Sequence, residues 1–255
     1  MNPKIILSTV FILFALTSKA QVTGSIQFDD KRNLHRNLSP ERAEFKEMIP
    51  EHFTTAHVLH FTQAATRYEE SERETQDEIN AFSQGGGRRF RMGRPTGKVF
   101  TNLEDKTVIE QRDFMDKKFI IEGEQRTYDW KITGEQKKIH ELIAMKAVTQ
   151  TKMREEDSTE VELVVWFTMQ IPVSGGPANL GGLPGLILEA DYDNGLRRIV
   201  SHSISMDAPA DDMMVPPTKG KKVSHEEFRE IVIDKMKEMR QQFGGNGTRV
   251  IRRRP

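Results

Sequence analysis

No cysteine occurs among the 255 residues. That absence excludes disulfides, thiolate metal sites and cysteine nucleophiles together. Aromatic residues make up only 7%, with two Trp and three Tyr, so each of these rings can be followed individually. Net charge is missing too, since 38 Lys and Arg balance 38 Asp and Glu. A nucleic-acid partner is therefore not expected, because such proteins carry a basic surface. After the first twenty residues no apolar run has the length of a membrane span.

Catalytic signatures are also lacking. There is no G-x-S-x-G elbow, no P-loop and no dinucleotide fingerprint. His140-Glu141 and His225-Glu226 begin like a zinc-peptidase motif, but Ala144 and Arg229 stand where the second His is needed. Glu189, Asp191 and Asp193 precede Asn194-Gly195, yet Ala190 occupies a position where the helix-loop calcium motif needs an acid. These acids read instead as the wet face of a strand before a two-residue turn. His57 and His60 fall on a strand, where a spacing of three points them to opposite faces. No catalytic residue, cofactor or metal is assigned. The residues best suited to a soft metal such as Cu(I) are His202, Met206, Met213 and Met214. Their other reading is a flexible linker whose methionines cap the sheet.

What is present begins with a secretory leader. MNPK carries a positive charge, an apolar run follows, and Ser18-Lys19-Ala20 supplies small residues for cleavage after Ala20. The leader's only charges are Lys4 and Lys19. The exported chain then has 38 acids against 36 bases, a net charge of −2. It is expected in the periplasm or secreted, with no transmembrane segment after cleavage. Residues 21–243 read as a single β-rich domain, and 244–255 as a disordered basic tail.

Along the chain, 21–38 are polar and read as loosely ordered. Ser39-Pro40-Glu41 is a helix start that Pro50 cuts short. A strand is expected near 54–68, then a solvated charged connection over 69–79. Residues 83–97 form a basic, glycine-rich surface loop. From Val99 to Ile204 about eight strands follow with short polar connections, which favours antiparallel neighbours. Within 160–167, Leu163, Val165 and Phe167 share an apolar face opposite Glu162, Val164 and Trp166. Residues 207–223 read as a proline-rich linker. Ser224 and Glu227 make a capping box for a helix whose stripe is Phe228, Val232, Met236, Met239 and Phe243. The fold class is mainly β (α+β): a curved antiparallel meander with a C-terminal amphipathic helix packed on it.

The densest backbone punctuation is GGPANLGGLPGLILEADYDNG, residues 175–195. Leu183-Pro184-Gly185-Leu186 suits a type II turn with Gly at its third position. The stretch reads as a compact loop between two buried strands. Gly182-Leu183-Pro184-Gly185-Leu186-Ile187 resembles the signature of the GLPGLI family, exported proteins found mainly in Bacteroidota. Trp130 in Asp129-Trp130-Lys131-Ile132, Lys146-Ala147, Trp166-Phe167-Thr168, Ile171-Pro172 and Gly176-Pro177 are similar to that family's landmarks, in its order. The resemblance spans about 45–240. One departure stands out: Glu141-Leu142-Ile143-Ala144 lies where members often carry Gly-Tyr and a Cys. No role resting on that thiol carries over.

The resemblance implies export and a shared β-rich fold, and supplies no activity. Proximity of some family genes to outer-membrane receptor genes implies an envelope accessory role. The expectation is an exported binding protein holding a hydrophobic ligand, an outer-membrane receptor or another envelope protein. One alternative is a periplasmic hydrolase acting on peptides or envelope polymers, drawing on His140, Ser174, His202 or an acid of 189–193. The other is a Cu-handling protein.

Overall fold

The computed structural model of the chain describes residues 22–36, 38, 46–77, 96–153 and 159–244. The leader and its cleavage site, the helix start at Ser39, residues 83–95 of the basic loop and the tail from 245 lie outside them.

The described chain is mainly β, as the patterning indicates, with twelve strands: the eight expected between Val99 and Ile204, three before them and one after. They are β1 (Gly24–Asn33), β2 (His52–Phe61), β3 (Ala65–Glu70), β4 (Thr96–Asn102), β5 (Thr107–Phe114) and β6 (Lys117–Glu124). Then come β7 (Lys131–Ile139), β8 (Leu142–Thr151), β9 (Val161–Thr168), β10 (Leu186–Tyr192), β11 (Arg197–Ser205) and β12 (Lys221–Lys222). One helix, α1 (His225–Gly244), closes the described chain. All strands join one sheet in the order β12-β6-β5-β4-β3-β2-β1-β11-β10-β9-β8-β7. Two meandering arms thus meet at the β1–β11 pair. All pairings are antiparallel except β12 with β6.

The order forces curvature. β6 and β7 lie ten strand spacings apart, about 48 Å if flat at ~4.8 Å each. Residues 125–130 must cover that separation, and a chain this short reaches only about 25 Å. The sheet therefore curls until its two arms approach each other, without closing into a barrel.

Several readings need correction. Residues 24–33 are not loosely ordered: β1 lies between β2 and β11 at the sheet's centre. Its alternation puts Ile26, Phe28 and Asp30 on the inner face, and the inward acid breaks the apolar pattern. The region 54–68 is two strands, and β3 runs into the charged stretch as far as Glu70. Residues 137–153 hold a hairpin, with His140 at φ 51° in its turn. The β10–β11 turn spans the four residues 193–196, three of them at positive φ. The 207–223 linker contains a 3-10 turn at Asp211–Met214 and ends in β12.

The curl is filled from inside. Phe28, Leu59, Phe61, Leu163, Val165, Phe167, Leu188 and Ile199 are fully buried in one cluster. The loop between β9 and β10 joins it through Ile171, Val173, Leu180 and Leu183. A loop can enter a core only if its backbone polar groups find partners there. Leu186 N–H donates to Ile171 O at 3.1 Å and Ile187 N–H to Gly175 O at 3.0 Å. Trp130 Nε1 donates to Gly181 O at 2.9 Å, so the β6–β7 connection is fastened to this loop. Thr101 on β4 donates to Asn179 Oδ1 at 3.1 Å.

The glycines serve close approach more than turn geometry. Gly185 does not take the positive φ of a type II turn, whereas Gly182 does, at +85°. A Cβ on Gly185 would run into the Thr168 carbonyl. One on Gly176 would sit 2.8 Å from Ile187 Cβ.

A second, smaller core lies at the other arm's edge. There Phe228, Ile231 and Val232 of α1 cover Phe114, Phe119, Ile121 and Val223. The capping box closes in both directions, with Ser224 N–H to Glu227 Oε2 at 2.8 Å and Glu227 N–H to Ser224 Oγ at 3.0 Å.

Candidate functional site

Strand register assembles a surface groove on the outer face of the second arm. Lys146, Trp166, Glu189 and Val200 follow one another across β8, β9, β10 and β11. The adjacent row is Val148, Val164, Asp191 and Arg198. Because alternate residues share a face, both rows point outward. Lys137 reaches over from β7. Its Nζ stands 4.4 Å from the Trp166 ring centre and 2.5 Å from Glu189 Oε2. Together with Glu162 and Asn194 these residues, Val148 excepted, line a cleft of about 390 Å³.

Charges of both signs line this cleft over a half-buried indole. Lys137 is held by Glu189, Lys146 by Glu135 at 2.9 Å and Arg198 by Asp191 at 3.3 Å. Glu162 makes no side-chain ion pair among the described residues. The groove can offer a cation, an anion and an aromatic face within one small volume.

The inner face beneath β1 carries charge as well, in a different setting. Arg197 and Arg32 lie directly opposite each other across β11 and β1, a repulsive placement. Asp30, fully buried, lies between them. It accepts from Arg197 at 2.8 and 3.0 Å and from Arg32 at 3.2 Å. Burial alone would raise the Asp30 pKa. The attraction and hydrogen bonds of Arg197, then of Arg32, outweigh burial and hold it well below the carboxylate range. Asp30 in turn keeps Arg197 firmly protonated despite its burial. All three tyrosines border this cluster. Tyr68, Tyr128 and Tyr192 have hydroxyl pKa values pushed up, chiefly by burial. Arg197 lies 5.7 Å from the Tyr192 ring centre. Within the cluster Asp30 is fully enclosed, while the Arg197 and Arg32 side chains stay 19% and 34% exposed.

The residues singled out from sequence separate into groups. Trp166 and Lys146 meet in the groove, with Glu189 and Asp191 beside them. Gly176, Pro177, Gly182, Leu183, Pro184 and Gly185 belong to the β9–β10 loop, Trp130 clasps it, and Leu186 and Ile187 open β10. Pro172 is exposed in the same loop, and Ala147 is buried on the inner face of β8. His140 does not join Ser174 or His202. Its Nε2 lies 3.2 Å from both the backbone oxygen and Oγ of Ser201. His202 pairs with Asp29 at 3.7 Å. Asp193 pairs with Arg36 at 2.5 Å, so each of the three acids has its own cation. Met213 lends only its backbone oxygen, to Arg67 at 3.0 Å, Met214 ends the same 3-10 turn, and Met206 is exposed. Among the described residues no three His, Asp or Glu side chains are grouped as metal ligands. His57 stacks on Tyr68 on the inner face, while His60 lies opposite Arg67 on the outer one.

The sequence alone does not point to Lys137 and Arg198, because only register brings them to Trp166; Glu162 shares Trp166's face by the strand's own period. Asp30 was missed because a lone inward acid looks like loop polarity.

Comparison with known proteins reaches part of the groove, the lining residues Glu162, Val164, Trp166 and Glu189. A family described as "Protein of unknown function (Porph_ging)" matches residues 149–189, from the end of β8 through most of β10. No curated protein matches the chain. Two solved structures of PNGF-II, in space groups C2 and P21, are similar, with TM-scores of 0.55 and 0.54. Identity is 16% and 15%, over 84% and 83% of this chain, so the likeness is one of fold. The chain spans only 33% of the length of those proteins. No helix among the described residues is long and apolar enough to cross a membrane.

Proposed function

We propose that the protein is an exported cell-envelope accessory protein of the GLPGLI type. It binds a polar partner, such as an envelope protein's peptide segment, in the groove over Trp166. The secretory leader and the signature at Gly182–Ile187 support export and family. The observation that carries the binding reading is the contrast between the two faces of the sheet. The inner hollow, where a hydrophobic ligand would sit, is packed with fully buried side chains. The outer face keeps an indole and six charged side chains around an open cleft.

A second reading, a periplasmic hydrolase of peptides or envelope polymers, draws support from Glu162. It is a carboxylate in the cleft with no cation holding it among the described residues, as a general acid or base would need.

Native mass spectrometry of protein taken gently from the producing cell's envelope tests both. An added mass on the wild type that disappears in Trp166→Ala supports binding at the groove. Bare protein in both samples overturns it. A bound species that is cleaved by the wild type, and held intact by Glu162→Gln, would establish the hydrolase instead.

A further inference from the structure

At the opposite end of the strand order lies a second cavity, independent of the Trp166 groove. It measures about 460 Å³ and is lined by Lys117, Lys118, Phe119, Lys221 and Ile231. Its floor is apolar and its rim is basic. Phe119 is buried against α1, which contributes Ile231. β12 brings Lys221 beside Phe119 by parallel pairing with β6.

This placement is built into the backbone. Gly220 holds φ +150°, and a Cβ there would lie 2.9 Å from the Lys118 carbonyl carbon and oxygen. Only glycine lets the Lys219–Lys222 segment lie flat on the edge of β6. The segment sets Lys219, Lys221 and Lys222 beside Lys117 and Lys118. Asp113 neutralises Lys118 at 2.9 Å and Glu122 neutralises Lys222 at 2.6 Å. Lys117, Lys219 and Lys221 have no acidic partner among the described residues. No acid lines the cavity, neither Asp116 in the β5–β6 turn nor Glu230 and Asp234 beside Ile231 on α1, and Glu227 is committed to the helix cap. An unneutralised pair, Lys117 and Lys221, therefore faces one cavity with a hydrophobic floor.

We propose that this cavity binds an anionic amphiphile, with a phosphate-bearing headgroup between Lys117 and Lys221 and its apolar chain on Phe119 and Ile231. A phosphate alone would use the rim and leave the floor idle. A neutral lipid would use the floor and leave two unpaired ammonium groups beside it. Only a ligand with both parts matches the whole site.

Isothermal titration of the purified protein with dihexanoyl phosphatidic acid below its micellar concentration tests this. Dihexanoyl phosphatidylcholine and inorganic phosphate serve as controls. The proposal expects saturable binding of the phosphatidic acid, at least about tenfold tighter than either control. Binding should weaken as salt rises. Lys117→Gln with Lys221→Gln should weaken it at least about tenfold. Both side chains are exposed and, among the described residues, without acidic partners, so the melting temperature of the double variant should match the wild type. Equal affinity for inorganic phosphate would show that a free anion is the ligand and overturn the amphiphile. Equal affinity for phosphatidylcholine, no binding of phosphatidic acid, or an unaffected double variant would each overturn the site. Loss of the Trp166 groove's partner would leave this result untouched.

Discussion

Two ion pairs sit on opposite faces of the same sheet and do different work. Asp30 and Arg197 face inward between β1 and β11, with Asp30 fully enclosed. Lys137 and Glu189 face outward over Trp166, with side chains 36% and 16% exposed. The inner pair separates two arginines that strand register sets against each other, so it answers a constraint of the fold. The outer pair answers none. Water can replace either of its partners, and so can a ligand. The lesson is that charge at the sheet's centre specifies register, while charge on its outer face is available for recognition.

The largest effect should come from breaking the inner pair. Asp30→Asn leaves two guanidiniums facing each other in a desolvated site and should cost about 3–5 kcal/mol, read as a lower urea midpoint. Replacing the pair together, Asp30→Leu with Arg197→Met, should recover much of that loss, since an apolar pair of similar volume removes the desolvation cost. If Asp30→Asn unfolds no more easily than the wild type, the inner pair is not what fixes the β1–β11 register.

Acid should produce a smaller version of the same loss without mutation. Folding lowers the Asp30 pKa, so below the ordinary carboxylate range the folded state binds fewer protons than the unfolded one. Its contribution is complete above about pH 4 and drains away as pH falls further. Stability of the wild type should therefore fall more steeply between about pH 4 and pH 2 than that of the Asp30→Leu, Arg197→Met variant. Parallel curves would mean that other carboxylates dominate acid unfolding.

How much of this contrast could be seen in the sequence differs between the faces. The outward set on β9 was visible, because Glu162, Val164 and Trp166 alternate with Leu163, Val165 and Phe167. A strand's own period reveals which residues share a face and nothing about which strand lies next to it. Lys137 therefore stayed hidden, as did the hairpin at His140, where apolar residues continue across the turn. The β9–β10 loop was legible as a loop through its glycines, but its burial was not. Gly185 was read as a turn residue, whereas its lack of a side chain matters for contact with Thr168. Substituting Gly185→Ala should cost about 1–3 kcal/mol by overpacking, since the atom it meets belongs to the backbone and cannot swing away. A thermal melt reads this. No change would mean that the loop yields and that the clasp between the two arms is looser than its hydrogen bonds indicate.

The smallest expected effect sharpens the comparison most. Lys137→Met removes one ammonium from Glu189 and from the Trp166 face, and it keeps the methylene packing. An exposed pair of this kind contributes about 0–1 kcal/mol, so the urea midpoint should barely move. The indole environment should change nonetheless, because the cation 4.4 Å from its ring centre is gone. Trp166 fluorescence, measured in a Trp130→Phe background, should shift while stability holds. If stability falls as far as in Asp30→Asn, the outer pair is structural like the inner one. The groove would then be a brace between β7 and β10 rather than a place where a partner binds.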